Sequence, residues 1–416
     1  MKLLVIYPYA PWPLDRGTYQ RTFHLLKSLA AHHEVDLIAL VEKDEDTTEK
    51  HAIFSGFCRS VEFVPFEHPT WQKLIPTRLL NPLPANVQHW QQPEIKEAVD
   101  RHLQPGRYDL VHICDLVMMP YVLPHRHHTP FVVDRSRVDL QFQLMEQGTL
   151  NLPPREKLLR WEALAKLWFY ERKLAREAKL EVVCGPDDET FLHARVSKKA
   201  PVMVVANGVD LDYFQPAAAP DPRDAEPTVI FCGAMDYSPN VDALRWFFGG
   251  GIHDRLLKKL PGVKTLIVGK NPIDEVKAYG SRPGVIVTGG VPDVRPYYRR
   301  SWIQMVPLRI GGGTRLKIVE SLAIGTPVVS TSIGAQGLEL QHGHDVLLAD
   351  TEEAFASGIA RALTDGDLRT SLEENGIATA NQRFGWPAIG TRLARRYESL
   401  LSAEPTTSAV AHGSLA

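Results

Sequence analysis

Three consecutive glycines, Gly311, Gly312 and Gly313, are followed by Thr314, Arg315, Lys317 and Glu320 in the window from Pro307 to Val329. A glycine-rich turn that opens a helix leaves backbone amides unshielded, and the helix dipole adds positive potential at the same place, so anions bind there. Arg315 and Lys317 fall in the first turn, where that dipole disfavours cations, which points to a strongly anionic ligand. Glu320, one to two turns further on, is placed to accept hydrogen bonds from hydroxyl groups. The combination reads as a site for a phosphate-bearing ligand that also carries hydroxyls. The alternative is a helix whose surface charges bind nothing. A Walker-type loop is excluded because no Lys-Ser/Thr pair follows the glycines at the required spacing. No G-x-G-x-x-G occurs here or near the N-terminus, so a dinucleotide fold has no fingerprint.

These residues need a strand, a turn and a helix to place them. Trp302 to Val306 reads as a buried strand. Helical spacing from Thr314 puts Leu316, Val319, Leu322 and Ala323 on one face, Gly325-Thr326-Pro327 stops the helix, and Val328-Val329 begins the next strand. The N-terminal half has the same grammar. Leu3 to Ile6 is a strand, Pro8 to Gly17 a turn-rich loop, Tyr19 to Ala31 a helix and Val35 to Val41 a strand. Near-continuous apolar strands alternating with helices predict a parallel sheet covered on both faces. Ligands of such sheets bind beyond the carboxyl ends of the strands. That puts Asp15, Arg16, Gly17 and Thr18 on the working edge, with Gly17-Thr18 either a second anion site or an ordinary helix-capping turn.

Val61 to Val64, Asp109 to Ile113 and Phe131 to Val133 are further strands, leaving His112, Asp115, Asp134, Arg135 and Asp139 at or near strand ends, as candidates for chemistry or as helix caps. His125, His127 and His128, set between Pro124 and Pro130, read as a solvated loop rather than a metal site. Trp71 to Pro84 mixes apolar, basic and proline residues and reads as a lid or a contact surface. Arg155 to Lys179 is the most helical segment, with eight Lys/Arg against four Glu, and Leu158, Trp161, Ala165, Trp168 and Ala175 sharing a face. It is either a basic amphipathic helix lying on an anionic membrane or a helix packed on the sheet with a solvated basic face.

Glu181 to Cys184 and Val202 to Val205 close the first half, and residues 214–227, rich in Pro, Ala and Asp, read as a linker between a domain of residues 1–213 and one of 228–384. A helix over 385–401 and a small-residue tail over 402–416 follow. With 416 residues, 44% hydrophobic and 23% charged, the chain suits two or three globular domains. Its net charge of -2 provides no global field to attract nucleic acid. Cys58, Cys114, Cys184 and Cys232 show no C-x-x-C spacing and read as small buried residues of a reducing compartment. No apolar run reaches the roughly 18 residues a membrane span needs, so a cytoplasmic protein is expected.

Four stretches resemble the retaining glycosyltransferases of family 4, which have the GT-B fold: two tandem Rossmann-like α/β domains with the active site in the cleft between them. The stretches are residues 11–18, Asn207 to Phe214, Phe231 to Asn240, and Gly311 to Val329. The wording of the last also resembles the sugar transferases associated with exopolysaccharide and PEP-CTERM systems. The resemblance implies transfer of a hexose from a nucleotide-diphosphate sugar, a UDP- or GDP-sugar, held by the C-terminal domain, to a saccharide acceptor held mainly by the N-terminal one. The basic helix 155–179 and the Trp71 to Leu80 stretch suggest a lipid-linked saccharide acceptor and contact with the inner face of the cell membrane. The cations make a metal unnecessary, and no cofactor is expected. Donor contacts would come from Gly17, Gly233, Thr288, Gly311, Gly312, Gly313, Thr314 and Glu320, the last on the ribose hydroxyls. Val287, Thr288 and Val291 fall where the base is held. Arg315 and Lys317 would stabilise the departing diphosphate, and Asp134 or Asp139 would orient the acceptor.

Three departures stand out. The first of the family's two glutamates falls on Gly312. The Arg and Lys that commonly follow the glycine matching Gly233 are absent from Ala234 to Asn240. The family's histidine has no match near Asp134 to Ser136. They leave open a degenerate nucleotide-sugar binder, or a sugar-nucleotide epimerase on the same architecture.

Overall fold

A computed structural model describes residues 1–14, 17–67, 81–147, 153–216, 223–310 and 315–402. Asp15, Arg16, the glycines 311–313 with Thr314, most of the 71–84 segment, the middle of the linker and the tail from 403 lie outside the described residues. The chain forms two compact units. Unit 1 comprises Met1–Val182, Phe191–Met203 and the chain from Gly390, and unit 2 comprises Val183–Thr190 and Val204–Ile389.

In unit 1 the strands β1 (Lys2–Tyr7), β2 (Glu34–Glu42), β3 (Ser60–Phe66), β4 (Leu110–Cys114), β5 (Phe131–Asp134), β6 (Leu180–Val183) and β7 (Val202–Val204) form one sheet. Its order is β3-β2-β1-β4-β5-β6-β7, with parallel pairing from β3 to β6. Leu3, Leu4, Val5 and Ile6 are wholly buried, as an apolar run in a two-sided sheet requires. In unit 2, β8 (Thr228–Cys232), β9 (Lys264–Val268), β10 (Val285–Gly289), β11 (Ile303–Val306), β12 (Val328–Ser330) and β13 (Leu347–Leu348) make a second parallel sheet, ordered β10-β9-β8-β11-β12-β13. Both sheets reverse direction of winding beside their first strand, between β1 and β4 and between β8 and β11. Such switch points open a crevice at the carboxyl edge.

Two elements differ from the sequence reading. The last helix, Trp386–Ser402, belongs to unit 1 from Gly390 on: a Cβ on Gly390 would lie 2.1 Å from the Ser28 Cβ, and the Tyr397 hydroxyl sits 2.8 Å from His112 Nδ1. The helix Pro154–Glu177 does pack on unit 1, through Leu164, Leu167, Tyr170, Leu174 and Ala175. The residues grouped as one face divide, however. Ala175 is buried, whereas Leu158 is 72% and Trp161 58% exposed. Apolar side chains surround the first half of this helix on all sides, so spacing alone does not choose the inner face.

Candidate functional site: two carboxyl edges

In unit 2 the chain leaves β11 at the buried Val306 and Leu308 and re-enters regular structure at the helix Leu316–Ile324. Gly325, in the left-handed region at φ 83°, ends that helix and turns the chain into β12. Arg309 is held by a two-pronged ion pair to Asp242, with contacts of 2.6 and 3.1 Å.

Lys317 lies in the first turn and points back across the end of β8. Its Nζ donates to Asn240 Oδ1 at 2.7 Å and lies 4.3 Å from the centre of the Phe231 ring. Asn240 Nδ2 in turn donates to the Ala234 carbonyl at 2.8 Å. A side chain at Gly233 has no room: a Cβ there would come within 2.6 Å of Asn240 Nδ2 and 3.2 Å of Lys317 Nζ. On its other side Gly269 approaches so closely that a Cβ on it would lie 1.6 Å from the Gly233 carbonyl oxygen. The turn after β8 has no cation of its own in sequence, yet a cation stands beside it.

Arg315 is 7% exposed and its Nη2 donates to the Ile333 carbonyl at 3.4 Å. Burial lowers its affinity for its proton. Burial also lowers the Lys317 ammonium to about 8 and raises the Glu320 carboxyl to about 7. Glu320 Oε2 accepts from the hydroxyl of the fully buried Tyr298 at 3.3 Å, which leaves the carboxylate with further acceptor capacity. Val287 and Thr288, expected near a base, line a cavity of about 480 Å³ together with Lys277 and Gly280; Val291 is not among its lining residues.

In unit 1, Gly17 begins the helix Gly17–Ala30. Asp134, expected to orient an acceptor, is 1% exposed, and its carboxylate is taken up by the equally buried Arg21, with Nη2 to Oδ1 at 2.6 Å and Nε to both oxygens at 3.2 Å. Arg135 is likewise inside, forked onto Glu171 by two 2.6 Å bonds and reaching Glu181 at 3.1 Å. Asp139 is 7% exposed and accepts from Arg137 Nε at 2.9 Å. His112 is buried against Tyr397 and its imidazole is pushed down to about 4 by burial.

Asp115 differs from these. It follows β4 at the switch point with φ 70° and ψ 150°, a backbone region that non-glycine residues seldom occupy and that costs roughly 1–3 kcal/mol. Its Oδ1 is buried with no hydrogen-bond partner. Burial first, then the nearby Asp139 charge, raises its carboxyl to about 7. Asp115 was visible in sequence only as one of several residues at strand ends. Asn240 was visible only as the end of the Phe231 to Asn240 stretch and Tyr298 had no signal, because each acts through a partner distant along the chain. Among the described residues, no group of three or more His, Cys, Asp or Glu side chains is arranged to hold a metal ion.

Comparison with known proteins agrees with this arrangement. Residues 16–208 match the "Glycosyl transferase 4-like domain" model and residues 226–365 the "Glycosyl transferases group 1" model. An "Uncharacterized 44.6 kDa protein in cps region" from Klebsiella pneumoniae is 24% identical over 86% of this chain and 90% of its own length. The lipopolysaccharide core biosynthesis mannosyltransferase LpcC of Rhizobium leguminosarum bv. viciae is 29% identical over 30% of this chain and 36% of its own. Among solved structures, sucrose-phosphate synthase from Thermosynechococcus elongatus superposes with a TM-score of 0.68 at 20% identity, covering 97% of this chain and 100% of that one. Anabaena Alr3699/HepE in complex with UDP and glucose gives 0.63 at 16%, covering 96% and 100%. The two family models lie in order along the chain, one on each unit, and both sheets have the Rossmann-like winding: the chain is a GT4-like glycosyltransferase with the GT-B fold.

Proposed function

We propose that the protein transfers a hexose from a UDP- or GDP-sugar, with retention at the anomeric carbon, to a hydroxyl of a saccharide or lipid-linked saccharide in exopolysaccharide synthesis. Supporting this reading most directly is the convergence of Lys317, Asn240 and Gly233 at the end of β8, with Arg315 and Glu320 on the same helix start. The UDP complexes of Alr3699/HepE, a protein of the same fold, favour UDP as the first donor to try.

In this scheme the bond from the anomeric carbon to the diphosphate breaks and its electron pair stays on the leaving phosphate oxygen. Arg315 and Lys317 offset that charge at a half-buried site, where a fixed cation acts more strongly than in water. The acceptor oxygen forms the new bond on the same face of the sugar, and its proton passes to the leaving phosphate, so no strong protein base is required. Glu320 takes the ribose hydroxyls while Tyr298 holds the carboxylate. In unit 1, Asp139 and the unpartnered Oδ1 of Asp115 serve the acceptor, and Asp134 acts through Arg21 as a positioning residue. The cations do the work a metal would do, so transfer is expected to persist in chelator; abolition by chelator with restoration by magnesium would count against this.

Calorimetric titration of UDP, GDP and ADP into the protein and into Glu320→Gln tests the reading. Selective binding of one nucleotide, lost in the variant, is expected. Binding of none of the three would sink the donor assignment.

A further inference from the structure

Seven of the twelve large apolar side chains exposed among the described residues lie between positions 142 and 169. That concentration is far from the scatter of single exposed apolar residues usual on a soluble surface. Leu158, Trp161, Ala165 and Phe169 recur at helical spacing along the outer face of the helix Pro154–Glu177, and Arg172 and Arg176 continue the same stripe toward its C-terminus. Trp161 is 58% and Phe169 65% exposed. Phe142, Leu144 and Met145 add to it from the adjoining helix Asp139–Gln147, which Arg160 ties to this one through a 3.2 Å bond to the Gln143 carbonyl.

The charges sort with the same logic. Of the four glutamates on the helix, Glu171 is buried under Arg135, Glu162 pairs with Lys166 at 2.5 Å and Glu177 with Arg126 at 2.7 Å, which leaves Glu156 in the first turn as the exposed one. Lys157, Arg172, Lys173 and Arg176 remain exposed. The outer face therefore presents bulky apolar and aromatic groups in line with cations, on a protein whose net charge is -2.

We infer that this face of unit 1 docks on an anionic lipid surface, with Leu158, Trp161 and Phe169 entering the headgroup boundary and Arg172, Lys173 and Arg176 meeting lipid phosphates. Aromatic and aliphatic side chains on one strip beside lysines and arginines suit a helix lying in the interface plane. Juxtaposed cations add attraction only where the leaflet is negative. A soluble protein partner would account for the apolar strip and would leave the run of cations without a counterpart. No helix among the described residues is long and apolar enough to cross a membrane, so the contact is peripheral. The docking face belongs to unit 1 and the donor residues to unit 2, and failure of the docking inference would leave the transfer reading untouched.

The test is flotation of the full chain with phosphatidylcholine vesicles and with vesicles containing phosphatidylglycerol, alongside the double variants Trp161→Ser/Phe169→Ser and Arg172→Gln/Arg176→Gln. UDP binding and far-UV circular dichroism serve as checks that each variant folds. The wild type is expected on the anionic vesicles, with recovery falling as salt rises. The aromatic variant should lose binding, and the arginine variant should bind about thirtyfold more weakly. Equal recovery on neutral and anionic lipid, or variants that float like the wild type, would overturn the inference. So would sedimentation showing a wild-type dimer that becomes a monomer in the aromatic variant, because the strip would then be a self-association face.

Discussion

The Lys317 ammonium lies 2.7 Å from the Asn240 side-chain oxygen, although 77 residues separate them. The pair brings a cation to the glycine turn after β8, in a segment that contains none. Replacing Lys317 with Met should lower the transfer rate about 100- to 1000-fold, the cost of removing one fixed group that stabilises a developing anion. The fold should survive, since the change removes a charge that burial disfavours. Single-turnover transfer beside a thermal melt checks both halves, and an unimpaired rate in a folded variant would remove Lys317 from the mechanism.

Nucleotide affinity should peak in a narrow pH window. Glu320, raised to about 7, accepts ribose hydroxyls best when ionised, so affinity falls as pH drops through that value. Lys317, lowered to about 8, attracts the diphosphate only when protonated, so affinity falls again as pH rises through that value. Each limb should approach about tenfold per pH unit. Bound diphosphate favours the ammonium, so titrations near the upper limb should show proton uptake when buffers of different ionisation heat are compared. A flat profile across both limbs would contradict the paired roles.

Asp134→Asn should destabilise unit 1 by about 3–5 kcal/mol, because Arg21 would be left buried against a neutral amide. Urea unfolding measures it directly. A stable Asp134→Asn protein with lost transfer would move Asp134 from a positioning role to the reaction itself.

Asp115→Gly should do the reverse and raise stability while lowering transfer. A raised carboxyl costs stability while ionised, above its folded value of about 7, and the cost disappears below the unfolded value near 3.8. At mildly alkaline pH, relief of that charge and of the unusual backbone should together give about 2 kcal/mol, discounted because the residue is only partly buried. Comparing Asp115→Asn with Asp115→Gly separates the two contributions. A loss of stability in both variants would mean that the carboxylate is a structural anchor.

Much of the carboxyl edge of unit 2 was legible from the amino acids. The glycine run, the cations and the helix stop at Gly325 carry local signals, and Arg315, Lys317 and Glu320 fall around one helix start as spacing required. Partners joined across the chain were not legible. Tyr298 meets Glu320 over 22 residues and Arg21 meets Asp134 over 113, and nothing in either segment marks the other. Asp134 and Asp115 look alike as carboxylates following strands. Only the fold reveals that one is saturated by a guanidinium and the other has an oxygen to spare. The outer face of the helix Pro154–Glu177 was legible in part: Leu158, Trp161 and Ala165 belong to it as grouped, whereas Ala175 is buried and Phe169 was left out, since a helix apolar on several sides offers periodicity to more than one face.

The chain changes units at residues 183, 191, 204 and 390, so neither unit is a contiguous stretch of polypeptide. No single cut therefore yields two complete halves. A fragment ending before Gly390 would keep all of β1 to β7 and still lack Tyr397, leaving His112 on the central strand β4 without its hydroxyl partner. During synthesis unit 1 cannot close its core until the last helix has emerged, by which time the strands of unit 2 have already been made. Completion of unit 1 is thus tied to the helix that follows unit 2, and a ribosome that stops before Gly390 releases no finished unit 1.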